Sequence, residues 1–174
     1  MLDNLRCIRL NPDHIIKPFD CGDTDLNEFL HMDSHNFNKD LFAVTYIFEN
    51  DSKTIAFYSV LNDKISAEEF ESKNQFKKKI RGRFSGRKRI RSYPAVKIGR
   101  FGVDIEYQKN KLGTEILDYI KMLFIVNNRT GCMFITVDAY KQSLGFYESN
   151  NFKYFNEGCK GEDTCPMYFD LTII

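Results

Sequence analysis

Lys97-Ile98-Gly99-Arg100-Phe101-Gly102-Val103-Asp104-Ile105-Glu106-Tyr107-Gln108-Lys109-Asn110-Lys111-Leu112-Gly113-Thr114 is the stretch on which the fold turns. Residues 95–103 read as a strand and the polar run after them as a loop. Residues 111–126 read as an amphipathic helix with Leu112, Ile116, Leu117, Ile120, Leu123 and Phe124 on its apolar side. A strand that passes through a short loop into a helix aims successive backbone N–H groups, and the positive end of the helix, at one spot. That arrangement suits phosphate. Lys109 and Lys111 add two cationic side chains. The same spacing also describes a plain strand–turn–helix with a solvated basic turn, so the loop alone does not decide the chemistry.

Toward the N-terminus, Leu5–Leu10 alternates loosely as an opening strand that Asn11-Pro12 ends. Phe19-Asp20-Cys21-Gly22-Asp23-Thr24-Asp25 is a turn rich in helix-capping residues. Asp25 with Glu28 suits a capping box, with Asp23 and Thr24 as rival caps, and Leu26, Phe29, Leu30 and Phe37 line the helix that follows. Residues 42–48 and 54–61 form a strand pair joined by a turn at Asn50-Asp51-Ser52-Lys53. Residues 63–93 read as a polar, charged insertion with one helix from Ala67 onward. Toward the C-terminus come a strand at 133–137, a helix at 142–148, and strands at 152–155 and 167–171. Strands and helices in this order give an α/β (α+β) fold, a mixed and mostly antiparallel central sheet flanked by helices.

The 174 residues suit one domain spanning 1–174, with the basic insertion at about 63–93 inside it. A content of 43% hydrophobic and 14% aromatic residues supports a sizeable core. There is no signal-peptide pattern and no apolar run long enough to span a bilayer, so the expectation is a cytoplasmic protein with no membrane partner. The five cysteines (Cys7, Cys21, Cys132, Cys159, Cys165) are odd in number and lack zinc-site spacing, which makes five reduced thiols the default. Cys159 and Cys165 are the one pair close enough in sequence to join. His31 and His35 have a chelating spacing on the first helix but no third ligand, so no metal is expected. Cys21 reads as a packing residue, since nothing beside it would lower its pKa.

Three ordered segments carry a family resemblance. Gln108-Lys109-Asn110-Lys111-Leu112-Gly113 resembles the pyrophosphate-binding signature of the GNAT N-acetyltransferase superfamily, Gln/Arg-x-x-Gly-x-Gly/Ala. Lys111 stands where the first motif glycine is usual. A lysine there would adopt left-handed backbone at about 1 kcal/mol, and neighbouring Asn110 is the residue that would take that role more readily. Asp138–Phe152 resembles the superfamily's late strand–helix–strand unit, with its Phe146-Tyr147 pair and with Asn151, a left-handed helix cap, in place of glycine. Phe19–Leu30 and Ile55–Val60 are similar to a narrower group, the GNAT toxins of bacterial toxin–antitoxin pairs.

The resemblance implies acetyl-CoA as cofactor and a primary amine as acceptor. It places Phe101, Gly102 and Val103 along the pantetheine arm and Gln108, Lys109, Asn110, Lys111, Leu112, Gly113 and Thr114 around the pyrophosphate. Tyr147 becomes the general acid that protonates the leaving thiolate, a task suited to a phenol of pKa about 10. No general base stands out: Asp104 and Glu106 flank the cofactor loop, Asp138 ends a strand, and a water relay would serve as well.

Residues 77–91 hold Lys77, Lys78, Lys79, Arg81, Arg83, Arg87, Lys88, Arg89 and Arg91 and no acid. Of the 25 basic residues 16 then remain elsewhere, against 24 acidic ones, a net −8. Such segregation marks a polyanion-binding segment, and interleaved Phe84 and Tyr93 suit RNA. The alternative is a solvated loop that pairs with acidic groups. With the opening motif, the segment makes aminoacyl-tRNA the leading acceptor, with an antitoxin protein and a second copy of the chain as candidate partners. The alternatives are a small-molecule amine or protein lysine as acceptor, or a non-catalytic module of the same fold that binds nucleic acid or a protein.

Overall fold

The computed structural model describes residues 2–80, 91–126 and 130–173. Its elements are β1 (Arg6–Arg9), α1 (Thr24–Glu28), a π-helical turn (Phe29–Asp33), α2 (Ser34–Lys39), β2 (Val44–Glu49), β3 (Thr54–Ser66), α3 (Lys73–Lys79), β4 (Ser92–Val103), α4 (Leu112–Ile125), β5 (Phe134–Tyr140), α5 (Leu144–Ser149), β6 (Lys153–Tyr154) and β7 (Thr164–Asp170). The strands follow the order β1-β2-β3-β4-β5-β7-β6. The β1–β2, β2–β3, β5–β7 and β6–β7 pairs are antiparallel. The chain forms two compact units, Met1–Leu61 with Ile98–Met122, and Asn62–Lys97 with Leu123–Ile174.

The first unit packs Leu10, Phe19, Phe29, Leu30, Ile47 and Phe57 into one cluster. Its opening helix is capped by Asp23, whose carboxylate accepts from the Leu26 N–H at 3.0 Å. The rival cap is therefore the real one, and the Asp25–Glu28 box does not form. Strand β2 begins at Val44 rather than at Phe42. Leu41 has φ 57°, and the Phe42 and Ala43 N–H groups donate back to the Phe37 carbonyl, so these residues close the helix before extended chain can start.

The second unit corrects the picture of a polar insertion at 63–93. Strand β3 continues past Leu61 to Ser66. Ile65, Phe70, Phe76, Ile80, Tyr93 and Ala95 are buried with Phe134, Phe155 and Tyr168. The expected helix arrives as a short turn at Ala67–Glu69, closed by a Ser66–Glu69 capping box, and as α3, capped by Ser72. Cys159 and Cys165 are joined as a disulfide with Cα atoms 5.2 Å apart, which corrects the expectation of five reduced thiols. A tight turn at Glu157–Gly161, in which the Asn156 side chain accepts from Gly158 N–H at 2.7 Å, folds the two cysteines together.

Candidate active site

Strand β4 leads into the loop through a pinned end. The Asp104 N–H donates to the Ile55 carbonyl at 2.9 Å, and the fully buried Asp104 carboxylate accepts from Asp20 N–H (3.2 Å) and Glu106 N–H (3.1 Å). Lys53 Nζ bridges Asp104 at 2.9 Å and Glu106 at 2.7 Å, and these bonds, Glu106 first, push its pKa up to about 12. Asp104 and Glu106 thus hold the loop through Lys53. Gly102 has no room for a side chain: a Cβ there would stand 2.8 Å from Phe57 Cε1 and 3.2 Å from Phe19 Cζ.

The Gln108 side-chain amide donates to the Val103 carbonyl at 2.8 Å and to the Cys21 carbonyl at 2.9 Å. Gln108 therefore holds the loop with its side chain. Lys109 and Lys111 both have φ 62°, while Asn110 does not take the left-handed conformation expected of it. Those two backbone reversals turn the chain into α4. The Glu115 N–H donates to the Lys111 carbonyl at 3.0 Å, so Leu112, Gly113 and Thr114 supply the N–H groups that precede the helical ladder. Leu112 is buried and anchors the turn, while Lys109, Asn110 and Lys111 are exposed.

In the second unit Tyr147 lies on α5, 5% exposed, with its ring edge-on to Phe146 (5.2 Å) and to Phe152 (5.1 Å). Its carbonyl accepts from Asn150 and Phe152 N–H groups at 3.1 and 3.0 Å, and Asn151 has φ 67°, the left-handed cap expected from sequence. Burial pushes the phenol above its usual range, and a phenol already carries its proton at physiological pH.

An acetyltransferase (GNAT) domain model matches residues 48–167. The chain belongs to the GNAT acetyltransferase family. No curated protein sequence matches it. Among solved structures, a tyrosine-to-phenylalanine mutant of KacT superposes with TM-score 0.77 at 18% identity, covering 98% of this chain and 96% of that one. AtaT complexed with acetyl-methionyl-tRNAfMet gives 0.76 at 19% identity over 97% and 96%, and AtaTR bound with AcCoA gives 0.75 at 19% identity over 98% and 96%. These likenesses establish the GNAT fold, and family membership makes the chain an N-acetyltransferase, a family that uses acetyl-CoA.

The remaining candidates of this GNAT chain divide. Asp138, half exposed, is ion-paired with Lys97 on neighbouring β4. Lys77, Lys78 and Lys79 are exposed on α3, with Lys79 Nζ 3.4 Å from the Tyr154 carbonyl, and Arg91 is exposed. Arg81, Arg83, Phe84, Arg87, Lys88 and Arg89 lie outside the described residues. Tyr93 is 3% exposed, a core residue and not a surface for stacking bases. His35 Nε2 lies 3.2 Å from the His14 carbonyl, and among the described residues no three His, Cys, Asp or Glu side chains cluster as for a metal ion. Burial raises the Cys21 thiol pKa, in keeping with a packing role. No helix among the described residues is long and apolar enough to cross a membrane. The sequence reading missed Lys53, Asp20 and Asn27. The only signal for the last two was their place in the Phe19–Leu30 motif.

Proposed function

We propose that the protein, as a single acetyltransferase domain, transfers acetyl from acetyl-CoA to a primary amine, and that the α-amine of an aminoacyl-tRNA is its acceptor, as in a toxin of a toxin–antitoxin pair. The observation that carries the reading is the loop ahead of α4, where the N–H groups of Leu112, Gly113 and Thr114 stand outside the helical ladder beside exposed Lys109, Asn110 and Lys111. N–H groups at a helix start, with cations beside them, fit a pyrophosphate. Phe101, Gly102 and Val103 on β4 hold the pantetheine arm through their backbone.

Bound acetyl-CoA supplies the acetyl group as an activated thioester. The acceptor amine attacks the thioester carbon as the neutral base, the carbon–sulfur bond breaks, and the amine's surplus proton passes to water. Tyr147 Oη, a phenol that is protonated at neutral pH, holds the proton that the departing sulfur takes up, and the phenolate left behind regains a proton from water. Exposed Lys77, Lys78, Lys79 and Arg91 favour a polyanionic acceptor. The AtaT structure with an acetylated methionyl-tRNA supports the same class, and structures of AtaT with its antitoxin AtaR support an antitoxin as partner.

The test is calorimetric titration with acetyl-CoA, followed by transfer of labelled acetyl to aminoacyl-tRNAs, free amines and peptide lysines. Micromolar cofactor binding and label on aminoacyl-tRNA are expected. Tyr147→Phe should lower kcat about 100-fold or more with cofactor affinity nearly unchanged. Unchanged turnover removes Tyr147 from the chemistry. No binding at millimolar acetyl-CoA leaves a non-catalytic member of the fold.

A further inference from the structure

The turn Asp20–Gly22 and the side chain of Asn27 form a polar knot that belongs to no step above. Asn27 Oδ1 accepts from the Cys21 N–H (3.0 Å) and from its thiol (3.2 Å), and Asn27 Nδ2 donates to Asp20 Oδ1 at 2.8 Å. The same Asp20 oxygen accepts from Gly22 N–H at 2.8 Å, and the Gly22 and Asn27 bonds hold that carboxylate below its usual pKa. Gly22 makes the turn with φ 82°, a conformation that residues with side chains rarely take. Asn27 and the Asp20 carboxylate together thus fix the path of three consecutive residues.

The backbone so fixed is what the cofactor loop hangs on. The Asp20 carbonyl accepts from Ile105 N–H at 2.9 Å, the Asp20 N–H donates to Asp104 Oδ2 at 3.2 Å, and the Cys21 carbonyl accepts from Gln108 Nε2 at 2.9 Å. Gln108 immediately precedes the left-handed Lys109 and the start of α4. Two left-handed lysines are costly backbone, held only where the surroundings over-determine them. We infer that Asn27 and Asp20 are positioning residues for the pyrophosphate loop, acting through the Asp20–Gly22 turn and Gln108. The inference rests on the proposed cofactor cradle.

The probes are acetyl-CoA, followed by calorimetry, and acetyl-pantetheine, which lacks the pyrophosphate, followed by ligand-observed NMR. Asn27→Asp keeps the acceptor for Cys21 but loses the donor to Asp20 and sets two carboxylates face to face. We expect acetyl-CoA to bind on the order of tenfold more weakly, acetyl-pantetheine to bind as before, and the binding of acetyl-CoA to lose part of its salt dependence. The double variant D20N/N27D again places an amide opposite a carboxylate and should recover most of the affinity. Unchanged acetyl-CoA affinity in Asn27→Asp overturns the inference. So does an equal loss for both probes, because Asn27 would then serve the fold in general and not the phosphate loop. Wild-type protein that binds acetyl-pantetheine but gains nothing from the pyrophosphate half overturns the cradle reading itself, and the inference with it.

Discussion

Replacing Gly102 by alanine adds one methyl group where the structure has no space for it. The new carbon would stand 2.8 Å from Phe57 Cε1, 3.2 Å from Phe19 Cζ and 3.3 Å from Phe57 Cδ1, whereas carbon atoms rest at about 3.5–4.0 Å. Phe57 would have to retreat by roughly 0.7 Å on that contact distance. It is fully buried, edge-on to Phe19 at 5.4 Å and stacked on Phe29 at 6.1 Å, so the retreat disturbs both. Overpacking of this kind costs about 1–3 kcal/mol, and the stiffer unfolded chain returns about 0.4–1 kcal/mol. The net loss is about 1–2 kcal/mol, or a Tm lower by about 2–8 °C for a chain of this size. Gly145, second in α5, provides the opposite case: a Cβ there meets nothing within 4 Å among the described residues, so Gly145→Ala should stabilise by about 0.5–1 kcal/mol. Differential scanning fluorimetry and urea titration of the two variants measure both signs. Shifts of equal sign, or a Gly102→Ala melt within about 1 °C of wild type, would refute the packing argument.

Tyr58 is buried and its hydroxyl has no partner among the described residues, so Tyr58→Phe should leave the fold as stable or raise stability by about 1 kcal/mol in urea titration, and a clear loss would show a hidden partner. Burial also raises the Tyr58 pKa, so the folded chain keeps a proton that the unfolded chain gives up above about pH 10. Stability is therefore full below that pH and falls as pH rises beyond it, and Tyr58→Phe should flatten the alkaline limb of Tm against pH. The Cys159–Cys165 disulfide closes a loop with sequence separation 6, for which chain entropy gives about 2 kcal/mol. Reductant should lower Tm by about 4–8 °C, with alkylation and mass spectrometry counting the thiols. An unchanged Tm on full reduction would discard that contribution.

The strand–loop–helix of the cofactor loop and the Tyr147 helix were legible because both follow from local chemistry, namely apolar spacing, polar punctuation and a residue that accepts left-handed backbone at Asn151. The same local rule failed at Asn110. Intrinsic preference is worth about 1 kcal/mol, and the reversals fell on Lys109 and Lys111 where Gln108 and the start of α4 place them. The polar, charged character of 63–93 likewise hid Ile65, Phe70, Phe76, Ile80 and Tyr93, whose irregular spacing among charged residues reads as a loop until Phe134, Phe155 and Tyr168 pack against them.

What the sequence concealed most fully is the frame of the loop. Asp20 meets Asp104 across 84 residues and Cys21 meets Gln108 across 87, separations over which no periodicity speaks. A short motif at 19–30 that looked like a family marker proves to be half of a hydrogen-bonded joint whose other half is the cofactor loop. This gives a physical reason for the two segments to vary together: a change at Asn27 that the turn cannot absorb is a change in the backbone path of Lys109–Lys111. The acceptor is a different matter. On the proposed reading its recognition would rest on exposed side chains, which packing does not dictate, so Lys77, Lys78, Lys79 and Arg91 can change without any trace in the core. The fold is therefore written in buried, mutually constrained residues, and the identity of the amine comes from labelled-acetyl transfer.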